Sequence, residues 1–140
     1  MAQYFTLKEM CESETAKKYG IDNTPSTAVI AHLTELMNFL DGLRIAWGTP
    51  IIVTSGYRSH YLNQKVGGSP TSVHKRGWAA DLKPKNGNME EFKKFCTEWI
   101  KDKEWDQLLL EKNKNGSEWV HVGLYSNSGL QRKQIKNMNV

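Results

Sequence analysis

The stretch SVHKRGWAADL, residues 72–82, places His74 and Asp81 seven positions apart with a glycine and two alanines between them. A second histidine, His121, lies far downstream in a strand-like segment. Two imidazoles and one carboxylate form a three-ligand set for zinc that leaves a fourth position for water, which is typical of catalytic sites. The small residues make a tight return of the chain sterically easy. Metal-assisted hydrolysis is therefore the leading hypothesis, and a surface histidine with a capping aspartate is the alternative.

The hydrophobic pattern on either side of this stretch predicts a mixture of helices and strands. Residues 79–84 are expected to form the strand that carries Asp81, and residues 105–111 and 118–125 are expected to form a terminal hairpin. Apolar residues recur at helical spacing over residues 27–47, which predicts the longest helix. The other expected elements are a helix over 5–18 with Thr6 as N-cap, a strand over 51–54, a short helix over 61–66 and a helix over 89–101. This order predicts an α+β fold with helices packed on one antiparallel sheet.

The size and charge of the chain set the expected domain organisation. A chain of 140 residues, 39% of them hydrophobic, is long enough for one domain with its own core. We expect residues 1–125 to form that domain and residues 126–140 to form a short basic tail. The formal net charge is +4, and the tail contains Arg132, Lys133 and Lys136 but no acidic residue. Such a tail is a solvated end or a contact for an anionic polymer, but no nucleic-acid motif accompanies it, so no nucleic acid is expected.

Several classes of protein are disfavoured by what the sequence lacks. Cys11 and Cys96 stand far apart and form no CxxC, so two free thiols are expected rather than a disulfide scaffold. The first twenty residues show no basic region followed by a long apolar run, so no secretory signal is expected. No segment approaches the length of a membrane span, and no membrane partner is expected. Synthesis in the cytoplasm follows, with release by another protein if the chain acts outside.

Four motifs together resemble the M15 family of zinc peptidases, the group of D-Ala-D-Ala carboxypeptidases and phage endolysins. They are SGYRS at 55–59, VGGSPTSVHKRGWAADL at 66–82, DQLLLE at 106–111 and EWVHVGL at 118–124. The similarity runs from about Phe5 to Tyr125. It implies the fold of the hedgehog domain and the D-Ala-D-Ala peptidases, and it implies His74, Asp81 and His121 as the ligands of a Zn²⁺ cofactor.

Two glutamates compete for the role of general base, which must take a proton from water and pass it to the leaving amine. Glu118 stands three positions before His121, as in related dipeptidases that cleave D-Ala-D-Ala. Glu111 ends the preceding strand and resembles the base of other family branches. A regular hairpin centred on Lys114 and Asn115 places Glu111 opposite either Glu118 or Trp119. In the second register Glu111 and His121 share a face, whereas Glu118 points away from that face unless a bulge intervenes. The parity of the strand favours Glu111 and leaves Glu118 as the alternative.

Arg58 and Ser72 are the remaining candidates for contact with substrate. The guanidinium of Arg58 is a planar fork that suits a substrate carboxylate or a developing oxyanion, and the resemblance implies that role beside the metal. A surface ion pair is the alternative for Arg58. Ser72, two positions before His74, is a candidate hydrogen-bond donor to substrate. His32 and His60 have no partner in the pattern and are not expected to be ligands.

The sequence therefore predicts a zinc metallopeptidase that hydrolyses a peptide bond in the stem or cross-link of bacterial peptidoglycan. Both D-Ala-D-Ala carboxypeptidase and endopeptidase activity fit this reading, as does a phage or prophage lysis enzyme released to the cell wall through a holin-type pore. A monomer is expected. A zinc-containing binding module of the same fold, without turnover, is the rival hypothesis.

Overall fold

The computed structural model describes residues 2–140 as five α-helices, one 3-10 turn and five strands in a single sheet. The helices are α1 (Leu7–Cys11), α2 (Glu14–Tyr19), α3 (Thr27–Trp47), α4 (His60–Lys65) and α5 (Met89–Ile100), and the 3-10 turn is Val73–Arg76. The strands are β1 (Ile51–Ser55), β2 (Ala79–Pro84), β3 (Gln107–Lys112), β4 (Glu118–Gly123) and β5 (Gln134–Asn139).

The sheet has the order β1-β2-β4-β3-β5. The pairs β1–β2, β2–β4 and β4–β3 are antiparallel, whereas β5 runs parallel to β3. The expected α+β class is confirmed, but the sheet is mixed rather than wholly antiparallel. The sheet is mixed because residues 134–139, which were expected to lie in a C-terminal tail, form a fifth strand that is parallel to β3.

One face of the sheet is covered by α3 and α5 and forms the core. The apolar stripe of α3 is completely buried at Leu33, Leu36 and Leu40, and Phe92 of α5 packs into the same cluster. The sheet contributes the buried side chains of Leu82, Leu108, Val120 and Val122. These four positions alternate with residues that point to the opposite face, so the core lies on one side of the sheet only.

The first helical segment differs from the expectation of one helix over residues 5–18. The Thr6 capping box is present, with Thr6 accepting from the Glu9 N–H and Glu9 accepting from the Thr6 N–H. The helix nevertheless ends at Cys11, because the backbone of Glu12 is extended, and Ser13 caps a second helix by accepting from the Ala16 N–H. A second N-cap inside the segment therefore divides it into α1 and α2.

The cysteines and the helices of residues 2–140 bear on the expectations of free thiols and of no membrane span. Cys11 is half-buried and Cys96 is buried, and both are free thiols as expected. Within that range, none of the helices combines the length and apolar character needed to cross a membrane.

The last fifteen residues are joined to the domain through a buried carboxylate. Asp106 is only 2% exposed and accepts two hydrogen bonds from the Arg132 guanidinium, at 2.8 Å each, and one from the Arg132 N–H at 3.0 Å. The Gln134 N–H then donates to the Asp106 carbonyl at 2.9 Å. These contacts start β5 alongside β3, with Lys133 between them in the left-handed region at φ 55°.

Asp106→Asn should lower the thermal unfolding midpoint by roughly 3–6 °C at pH 7, because a neutral amide cannot accept both bonds of the charged fork. Burial raises the pKa of Asp106, but the hydrogen bonds from Arg132 outweigh it and hold the pKa below its ordinary value. The stabilisation is therefore fully present above about pH 4 and is lost as pH falls through the folded-state pKa.

Calorimetry of both proteins at pH 7 and pH 3 measures this difference. Asp102→Asn is the matched control, since Asp102 is exposed and pairs with a neighbouring lysine. An equal midpoint for Asp106→Asn and the wild-type protein at pH 7 would contradict the anchoring role.

Candidate active site

The pairing of β2 with β4 brings Asp81 and His121 side by side on the face of the sheet opposite the helices. Their Cα positions are direct partners in the antiparallel register. The 3-10 turn before β2 adds His74 from the adjoining loop. One ligand atom from each of the three residues lies within 4.8 Å of the others, and all three residues are buried. Residues 47 positions apart in the chain, His74 and His121, thus meet Asp81 at one point.

Local structure fixes the orientation of His74. Ser72 caps the 3-10 turn by accepting from the His74 N–H, and Gly77 ends it in the left-handed region at φ 77°. The Nδ1 atom of His74 lies 2.7 Å from the Gly56 carbonyl oxygen, to which a protonated Nδ1 donates. This contact leaves the Nε2 lone pair to face Asp81 and fixes the tautomer that a metal ligand needs.

The loop that carries Gly56 is itself held in place. The Tyr57 N–H donates to the Met10 carbonyl at 2.7 Å, and the Arg58 N–H donates to the His74 carbonyl at 3.1 Å. A Cβ at Gly56 would collide with the Met10 carbonyl, so the close approach requires glycine. The SGYRS segment therefore supports the imidazole of His74 from behind.

The three side chains fit a small divalent metal ion. His74 Nε2 lies 3.3 Å from Asp81 Oδ1, and His121 Nδ1 lies 3.0 Å from the same oxygen. Two ligands at zinc-like bond lengths and tetrahedral angles are about 3.3 Å apart. The group therefore needs little rearrangement to hold an ion between its three donor atoms.

The protonation states also suit metal binding. Burial lowers the pKa of His74, so its imidazole is held in the neutral form. Burial raises the pKa of Asp81, but the imidazoles of His74 and His121 outweigh it and hold the pKa well below its ordinary value. Neutral imidazole and ionised carboxylate are the forms that coordinate a metal ion.

The register of the hairpin separates the two candidate glutamates onto opposite faces. Glu111 is the direct partner of Trp119, which places it on the His121 face as a diagonal neighbour of that histidine. Burial raises the pKa of Glu111. Glu118 instead forms an ion pair with Lys93 of α5, on the face that carries the helices.

Arg58 lies on the other side of Asp81, with its side chain only 16% exposed. Its guanidinium donates to Ser55 Oγ at 2.9 Å, to Asn63 Oδ1 at 3.3 Å and to Asp81 Oδ2 at 3.4 Å. A Cβ at Gly68 would collide with the Asn63 side chain and approach Arg58 Nη1 to 2.9 Å, so the glycine leaves room for this arrangement. The remaining N–H groups of Arg58 are available to a ligand.

A groove of about 840 Å³ opens over this group. Its lining includes the three metal-site residues together with Arg58, Ser72 and Glu111, whereas Glu118 does not line it. Its far wall is formed by the C-terminal segment, through Ser126–Ser128, Leu130, Arg132 and Val140. The structure thus brings together every candidate site residue from the sequence except Glu118.

The other two histidines lie apart from the group. His32 is half-buried, stacks on Trp78 with ring centroids 4.1 Å apart, and has Nδ1 2.7 Å from the Arg76 carbonyl oxygen. His60 is exposed at the start of α4. Neither belongs to the candidate metal group.

Sequence reasoning missed the residues that support the site rather than form it. The Gly56 carbonyl holds His74, Asn63 and Ser55 hold Arg58, and the C-terminal segment forms the far wall of the groove. A backbone carbonyl leaves no signal in the sequence. For the C-terminal wall, the sequence offers one signal. Arg132 is a possible ion-pair partner for Asp106, which directly precedes β3.

A mixed α+β domain with a buried His–Asp–His group under an open groove is the architecture of a candidate metal-dependent hydrolase. Among known families, the model described as Peptidase M15 matches residues 3–123 of the chain. The chain therefore belongs to the peptidase M15 family. Membership supports a peptidase role, and the buried group could bind a metal ion. No curated protein matches the chain.

His121→Ala should weaken the affinity for a divalent metal ion by more than about 100-fold, because only two ligands would remain. Metal analysis after dialysis, with calorimetric titration of the metal-free protein, measures the loss. His60→Ala is the matched control, since it removes an exposed histidine outside the group. Equal metal content in the wild-type protein and His121→Ala would contradict the assignment of the ligands.

Proposed function

We propose that the chain is a zinc metallopeptidase that hydrolyses a peptide bond in bacterial peptidoglycan. The single observation that carries the proposal is the arrangement, in an M15 domain, of a buried His74–Asp81–His121 group with Glu111 beside it on the same face of the groove. A structural metal site has no need of an open groove or of a neighbouring carboxylate with a raised pKa.

The donor set favours zinc among the divalent metals. Two imidazole nitrogens and one carboxylate oxygen in a compact, buried group suit zinc better than calcium or magnesium, which take sets of oxygen ligands. When bound there, zinc would polarise the scissile carbonyl and make water a stronger acid.

Glu111 is the proposed general base and acid. Burial moves the pKa of Glu111 toward neutral pH, and a carboxyl group with such a pKa both accepts and donates a proton efficiently. It would accept the proton of the attacking water and deliver it to the departing amine. Glu118, ion-paired to Lys93 on the opposite face of the sheet, is the less favoured candidate.

Arg58 and Ser72 are the proposed substrate contacts. The remaining N–H groups of Arg58 would hold a substrate carboxylate or the developing oxyanion, and the bonds to Ser55 and Asn63 restrict its guanidinium to one orientation. The Ser72 oxygen accepts from the His74 N–H, which leaves its own O–H free to donate to substrate.

The substrate class and the biological setting rest on the family resemblance and on charge. Peptidoglycan stem peptides are the substrates of the M15 peptidases that this chain resembles, and a net charge of +4 favours approach to an anionic wall. D-Ala-D-Ala carboxypeptidase or endopeptidase activity is the proposed type of reaction. A phage or prophage lysis enzyme that reaches the wall through a holin-type pore is the proposed setting, with the monomer as the working form.

Glu111→Gln should lower kcat by about 10²–10⁴-fold with metal retained, because the amide cannot exchange the proton. Release of new amino and carboxyl ends from purified cell walls, followed by mass spectrometry of the fragments, measures the rate and names the bond. Glu118→Gln is the matched control, and its rate should stay close to that of the wild-type protein.

Two outcomes would contradict the proposal. If neither substitution slows wall digestion while the metal stays bound, the assigned proton transfer is wrong. If the metal-loaded wild-type protein binds walls but releases no peptide ends, the chain is a zinc-containing binding module.

A further inference from the structure

Four neighbouring strands place one side chain each in a row across the open face of the sheet. Asp81 pairs with His121, His121 with Leu109, and Leu109 with Lys136 of β5. Direct partners in a sheet point to the same face. The row therefore begins at two of the candidate metal ligands and ends at a lysine of the C-terminal strand.

The neighbours of Lys136 show that this side of β5 faces the groove. Gln134, two positions earlier, accepts a hydrogen bond from Gln107 at 2.9 Å, and Gln107 lines the groove. Val140, four positions later, also lines the groove. Because side chains alternate along a strand, Lys136 lies on the same side as both.

Lys136 is the cation of the C-terminal segment that remains available to a ligand. Arg132 donates to the buried Asp106, and Lys133 lies 3.5 Å from Glu104. Lys136 is exposed and takes part in neither ion pair. Leu109, its direct partner, offers no charge to compensate it.

Cations thus lie on either side of the acidic residues on this face of the sheet, with Lys136 beside the groove rather than among the residues that line it. Arg58 lies beyond Asp81 at one end, and Lys136 lies two strand spacings, about 10 Å, from His121 at the other. An extended peptide advances about 3.3–3.6 Å per residue. An anionic group about two or three residues from the scissile bond would therefore reach the lysine ammonium.

We propose that Lys136 binds a carboxylate of the peptide substrate and makes the C-terminal strand a determinant of specificity. The inference rests on the proposed function and narrows its substrate class to acidic stem peptides. The α-carboxylate of the D-glutamate residue in a stem peptide lies at the required separation from a D-Ala-D-Ala bond. Amidation of that carboxylate would remove the charge that Lys136 recognises.

The test compares two synthetic stem pentapeptides, L-Ala-γ-D-Glu-L-Lys-D-Ala-D-Ala with the D-glutamate α-carboxylate free or amidated. Calorimetry with metal-loaded Glu111→Gln protein measures their affinities without turnover. The free acid should bind about three- to tenfold more tightly than the amide, and the preference should shrink as salt is raised.

Substitutions in the same background assign the preference to Lys136. Lys136→Gln should bind the two peptides equally, and Lys136→Glu should prefer the amide. Lys114→Gln, which removes an equally exposed charge from the loop between β3 and β4, should keep the preference for the acid. Loss of the preference only at Lys136 supports the inference.

Three results would overturn it: no preference in the parent protein, the same preference after Lys136→Gln, or no binding of either peptide. Cleavage by the wild-type protein is measured separately. A preference that depends on Lys136 in a protein that cleaves neither these peptides nor purified cell walls would refute the peptidase proposal while the carboxylate subsite stands.

Discussion

The antiparallel register between β2 and β4 is the constraint on which the candidate site depends. It sets Asp81 opposite His121, and the register of β3 then sets Glu111 on the same face. A slip of one residue would turn all of these side chains to the other side of the sheet. The same slip would expose Leu82 and Val120, which are completely buried against the helices. Each such side chain contributes roughly 1.5–3 kcal/mol on burial, so the hydrophobic core fixes the geometry of the polar face.

The polar face of the sheet lowers the stability of the fold rather than adding to it. Asp81 is a buried carboxylate, and desolvation of such a group costs more than an ordinary ion pair returns. Its charge is compensated by the Arg58 guanidinium, while the imidazoles of His74 and His121 lie against it and the Gly56 carbonyl holds His74 in turn. A cation placed among these donors would add to that compensation. The fold can sustain the group because the opposite face of the same strands is packed against α3 and α5.

The sequence was most informative where local pattern and tertiary burial agree. Helix α3 has the bounds expected from its apolar periodicity, and strand β2 has its expected bounds as well. The sequence allows two hairpin registers, with Glu111 opposite Glu118 or opposite Trp119, and the structure has the second one, which the loop alone does not decide. The break between α1 and α2 was missed since Ser13 resembles any exposed serine until its cap is seen. The roles of Arg58, Ser72 and Glu111 remain proposals.

The C-terminal strand was unpredictable from its own sequence and yet changes the shape of the groove. None of residues 134–139 is buried, so no hydrophobic periodicity identifies a strand there. Their position depends on Asp106, Arg132 and the left-handed backbone of Lys133, which are tertiary features. This strand lies outside the part of the chain that matches the family, residues 3–123. Because its anchor shares no side chain with the candidate metal group, residues on β5 can change without disturbing the ligands. The fold therefore separates the proposed catalytic metal site from β5, the strand proposed to determine substrate specificity.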